Sequence, residues 1–144
     1  MKYLFTVCAA LGLMMLPGNV SAHTNPEDLA ARCVGAMNGI VDRCQNAAAD
    51  EVEECVRTIR RLLADGQEQA ARRVAAECIQ SATERTEKCA SKVNRICDEC
   101  IDQLLSLGAP QLARRVNKTC EDAISDLRST LQREKNMIRN ALGG

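Results

Sequence analysis

Cysteine is the residue type with the most chemistry in this 144-residue chain, which carries nine of them. Cys33, Cys44 and Cys55 recur every 11 residues, and so do Cys78, Cys89 and Cys100. At about 100° per residue, that spacing is three helical turns plus about 20°. Each trio therefore lies on one stripe of a helix, with rungs about 16 Å apart. Cysteines so placed do one of two things. They cross-link to a facing helix as disulfides, or they stay reduced and bind a soft ion such as Cu(I). Cys97-Asp98-Glu99-Cys100 is formally a Cys-x-x-Cys, the spacing of thiol–disulfide enzymes.

Little other catalytic chemistry is available. The chain has one His and no Trp, and its aromatics, Tyr3 and Phe5, lie in the first 22 residues. Beyond them there is no base-stacking platform, aromatic sugar shelf or aromatic cage. A single His excludes His-rich metal sites and leaves a Ser-His-Asp or Cys-His mechanism hard to build. His23 alone, as a first mature residue, reads as a terminal residue with no further His to complete a copper site. The reading is therefore not an enzyme and not a cofactor protein, with no catalytic residue and no metal ligand assigned.

Helices must position the cysteines. Asn25-Pro26-Glu27-Asp28 supplies an N-cap, a first-turn proline and acids at the positive end of the helix dipole. Apolar or Cys positions then step by three and four through 29, 33, 37, 40, 44, 48, 52, 55, 59 and 62. Gly66 ends that run. A second runs from 71 to 104 and stops at Gly108. The third follows Pro110, through 112, 116, 120, 124, 127, 131 and 138. No alternating strand pattern appears. Helices over about 26–64, 67–107 and 110–141 joined by short links predict a long antiparallel up-down-up three-helix bundle. A segment around Leu62–Val74 is matched 42 residues later by Leu104–Val116, with Cys55 matching Cys97 and Cys78 matching Cys120. That is the pattern of two fused α-hairpins sharing the middle helix.

Folding the chain at the two glycines pairs every cysteine. In an antiparallel hairpin, residues at one level have a constant index sum. Cys33 with Cys100, Cys44 with Cys89 and Cys55 with Cys78 each total 133, centred on Gly66. Cys97 with Cys120 totals 217, centred on Gly108. Close approach of the first two helices is expected over small residues: Ala36, Ala47, Ala48, Ala71, Ala75 and Ala82. A thin core of Ala, Val, Leu, Ile and Met needs such staples.

Two readings compete with disulfides. With reduced thiols the chain resembles bacterial copper-storage four-helix bundles, but it has a single Cys-x-x-Cys, 11-residue gaps and three helices. Rungs about 16 Å apart do not share one metal cluster. A redox role for Cys97 and Cys100 lacks the helix-start setting that activates such thiols.

Charge gives a weaker signal. The whole chain has 19 Lys+Arg and 19 Asp+Glu, so no global field draws it to nucleic acid or membrane. Arg57, Arg60, Arg61, Arg72 and Arg73 nevertheless flank the first turn, and Arg133, Lys135 and Arg139 approach the same end. Opposing acids there are Asp65, Glu68, Glu77 and Glu134. That end is a candidate anion-binding surface for an anionic envelope or extracellular partner, although Arg near a helix C-terminus also complements the dipole. Asp50, Glu51, Glu53 and Glu54 read as a solvated face.

Met1-Lys2, the apolar run Tyr3–Leu16, the breakers Pro17-Gly18 and the small residues Val20-Ser21-Ala22 have the layout of a signal peptide cleaved after Ala22. Fourteen apolar residues are short for a membrane span. Cleavage removes Cys8 and leaves eight cysteines, an even count that suits a disulfide framework in a periplasmic or secreted chain. The expectation is a single disulfide-stapled domain over 23–144, working as a structural or binding protein.

Overall fold

The computed structural model describes residues 25–143. The segment 1–22, whose layout is read as a signal peptide, lies outside the described residues, as do Cys8 and His23. The chain forms α1 (Pro26–Ala64), α2 (Glu68–Ser106) and α3 (Pro110–Ala141). Each helix packs against both others in an all-α three-helix bundle, and the described residues contain no strand.

The starts and stops follow from local chemistry. Asn25 accepts a hydrogen bond from the Glu27 N–H at 3.0 Å, which caps α1. At the first turn Gly66 N–H donates to Leu63 and Gln67 N–H to Leu62. At the second, Gly108 N–H donates to Leu105 and Ala109 N–H to Leu104. Both are Schellman closures, which need a left-handed residue just past the helix. Gly66 at φ 73° and Gly108 at φ 71° supply it. The closure takes Gln67 and Leu107 out of the helix, so α2 is one residue shorter at each end than the sequence pattern predicts.

An added Cβ at Gly66 would meet nothing within 4 Å, so the penalty for a side chain there is backbone strain alone. Gly66→Val should therefore destabilise by about 1–2 kcal/mol. Chemical denaturation checks this, and an unchanged midpoint would contradict the turn geometry.

The helices bury one stripe each, in two apolar clusters. The larger joins Leu29, Met37 and Ile40 of α1 to Val93, Cys97 and Leu104 of α2 and Val116, Cys120 and Leu127 of α3. The smaller, beside the first turn, joins Val52, Ile59, Ala71, Ala75, Ile138 and Ala141. Ala48, Ala82, Thr86 and Glu134 are buried between them and belong to neither. Ala48, Ala71, Ala75 and Ala82 of the expected small-residue seam are buried. Ala36 and Ala47 are not: they lie on the exposed flank of α1. Eleven residues separate them, so they share a stripe, but one turned away from the facing helix.

Candidate functional site

Three cysteine pairs join α1 to α2, and one joins α2 to α3. Cys33–Cys100, Cys44–Cys89 and Cys55–Cys78 have Cα atoms 6.2, 6.4 and 6.3 Å apart. Cys97–Cys120 spans 6.2 Å. All lie within the range a disulfide requires. The two cysteines of Cys97-Asp98-Glu99-Cys100 therefore part company, Cys97 to α3 and Cys100 to α1. Three residues on a helix are about 60° apart in projection, which suits two adjacent neighbours. The α1–α3 seam carries no bridge.

The five flanking arginines are all exposed. Arg57 pairs with Glu53 and with Glu54, at 3.7 and 3.1 Å. Among the described residues Arg60, Arg61, Arg72 and Arg73 make no ion pair within 4.0 Å. They do not converge on one cradle. Ile59 and Ala71 are fully buried, so Arg60 and Arg72 point about 100° from the core direction. Arg61 and Arg73 point about 200° away from it. The result is a basic collar rather than a pocket. Ile138, Ala141 and Leu142 pack beside the first turn, which brings Arg139 to the same end.

Glu134 does not belong to that surface. Its side chain is 7% exposed and receives a hydrogen bond from Arg85 Nη2 at 2.8 Å. Arg85 is itself 14% exposed and donates its other terminal nitrogen to Glu51, which is 51% exposed. One residue from each helix thus forms a carboxylate–guanidinium–carboxylate chain across the layer between the apolar clusters. The pocket beside Glu134 holds about 10 Å³, at the lower limit for one water. Arg85 is accordingly its principal partner. The sequence reading missed this triad because it followed apolar residues only. A signal existed: Glu134 fills the step between 131 and 138 on the core stripe of α3.

Burial raises the Glu134 carboxyl above its ordinary value of 4.5. Arg85 pulls it down by charge and by hydrogen bond, and Arg133 by charge, without cancelling the burial. An acid with a raised folded pKa binds its proton more tightly in the native state. Its contribution is complete at low pH and is lost as pH rises from about 4.5 through the folded value. For any single group the slope is at most about 1.4 kcal/mol per pH unit. The stability of the wild type minus that of Glu134→Gln should therefore fall as pH rises from about 4 to about 7. Urea titrations at several pH values measure it, and a flat or rising difference would contradict the assignment.

Asn117-Lys118-Thr119 has the Asn-x-Thr form of a glycosylation acceptor, but Asn117 is helical and its side-chain amide donates to Glu121 at 2.9 Å. No helix among the described residues is long and apolar enough to cross a membrane. Four cysteine pairs at disulfide distance suggest an oxidising extracellular or periplasmic environment. No protein family, curated protein or solved structure matches this chain.

Proposed function

We propose that this chain is an exported, non-enzymatic helical scaffold that presents the basic collar at its first-turn end to an anionic envelope or extracellular partner. The observation that carries the reading is the exposure of Arg60, Arg61, Arg72 and Arg73 without ion-pair partners among the described residues. The Cys55–Cys78 bridge lies one to two turns away and ties together the two helices that carry them. A fixed backbone lowers the ordering cost of binding. The guanidinium fork suits sulfate, phosphate or carboxylate groups. With Glu134 off this surface, the acids beside Arg60, Arg61, Arg72 and Arg73 are Asp65, Glu68 and Glu77, while Arg57 is taken up by Glu53 and Glu54. Export rests on the signal-peptide layout of residues 1–22 together with the disulfides. Nucleic acid is disfavoured as a partner by the absence of stacking groups after residue 22.

A collar makes weak, salt-sensitive contacts. Wild type should be retained on heparin at about 50 mM salt and released by about 200 mM, as counterion release requires. A variant carrying Arg60→Glu and Arg72→Glu should pass unretained at the lower salt. Equal retention of the two proteins would contradict the proposal.

A further inference from the structure

The four bridges span similar distances but differ in access to solvent. Cys33 and Cys100 are buried, as are Cys97 and Cys120. Met37, fully buried, packs on the latter pair, its Sδ 3.1 Å from Cys97 Sγ and 3.2 Å from Cys120 Sγ. Cys44–Cys89 has one buried cysteine and adjoins a pocket of about 10 Å³, at the lower limit for one water. Cys55–Cys78 is different: both of its cysteines are partly exposed. They line a groove of about 340 Å³, together with Val52, Ser81 and Ala82. Thiol–disulfide exchange requires a thiolate to reach a bridge sulfur, so access ranks the bridges. The groove leaves room for an incoming thiol, and the 10 Å³ pocket does not.

A second observation concerns what this bridge holds. It staples the thinnest part of the α1–α2 hairpin. The smaller apolar cluster there joins the two helices through Val52, Ile59, Ala71 and Ala75, and the two alanines contribute little burial. The next bridge, Cys44–Cys89, is 11 residues away on each helix, about 16 Å. Arg60, Arg61, Arg72 and Arg73 all lie between Cys55 and Cys78 in the chain. Opening this bridge therefore frees the collar and leaves the rest of the bundle stapled.

We infer that Cys55–Cys78 is the thiol-exchange site of this protein, a switch through which a dithiol reductant loosens the basic collar. The effect on binding rests on the collar reading above; the exchange site itself does not. The chemistry balances. One thiol of the dithiol, as thiolate, attacks a bridge sulfur, breaks the S–S bond and forms a mixed disulfide. The second thiol displaces the protein sulfur, closing a cyclic disulfide on the reductant. Two electrons pass to the bridge, and two protons end on Cys55 and Cys78. Oxidation of the pair resets the switch.

The test treats the oxidised protein with limiting dithiothreitol, anaerobically and without denaturant. Alkylation and peptide mapping should find Cys55 and Cys78 labelled first, before any other cysteine. A first label at another pair, or all four bridges opening together, would overturn the inference. Cys55→Ser with Cys78→Ser mimics the open switch. Amide exchange over residues 56–78 should rise at least tenfold, while Met37 to Ile40 and Val93 to Leu104 stay slow. Heparin affinity should fall about fivefold, as the freed arginines take on an ordering cost. Wild-type exchange or wild-type heparin affinity in this variant would overturn the switch. Failure of the wild type itself to bind heparin would strike the collar reading alone, and amide exchange would then decide the switch.

Discussion

Arg85→Met should destabilise the protein by about 3–5 kcal/mol, the largest effect expected of any single substitution here. The substitution leaves Glu134 buried with no cation in contact, beside a pocket at the lower limit for one water. It also releases Glu51, but that residue is half exposed and water replaces its partner at little cost. The penalty arises from an uncompensated charge and not from lost packing. Adding Glu134→Leu to Arg85→Met should therefore recover most of the loss, because a buried ion pair replaced by apolar groups is often neutral or stabilising. Denaturant titrations of the wild type, both single variants and the double variant complete the cycle. Additive single effects would show that the pair is not coupled. A cost below about 1 kcal/mol for Arg85→Met would mean that Glu134 is solvated.

Cys97→Ala with Cys120→Ala should cost about 3 kcal/mol, because the bridge closes a loop with a sequence separation of 23. The location of the loss distinguishes this bridge from the others. Three bridges hold α1 to α2, and none but this one holds α3. Amide exchange in α3 should accelerate strongly, while exchange in the α1–α2 hairpin stays slow. Uniform acceleration over all three helices would indicate that the bundle opens as one unit.

The fold was legible because two kinds of local signal agreed. Apolar and cysteine steps of three and four set each helix face, and Gly66 and Gly108 marked the positive-φ residues that end two of them. Once those turns were placed, level pairing across them assigned all eight cysteines of the described chain. The polar layer was hidden for a physical reason. Arg85 and Glu134 are ionisable residues at core-facing positions, and one sequence read for apolar periodicity treats both as surface. Level pairing would have brought them together: the α2–α3 rule puts residue 85 opposite 132, within a turn of Glu134. The collar was legible in composition but not in shape. Adjacent arginines on a helix point about 100° apart, so density along the chain did not become convergence in space. The contact of Met37 with the Cys97–Cys120 bridge depends on a rotamer, which spacing alone does not fix.

The pairing of the cysteines tests the central claim most directly, since every feature above depends on which helices they join. Non-reducing peptide mapping of protein purified from an oxidising compartment, with free-thiol titration, reads it out. The expected result is four linked peptide pairs, Cys33–Cys100, Cys44–Cys89, Cys55–Cys78 and Cys97–Cys120, with no free thiol. A Cys97–Cys100 bridge, or free thiols at any of these positions in that protein, would contradict the stapled three-helix account.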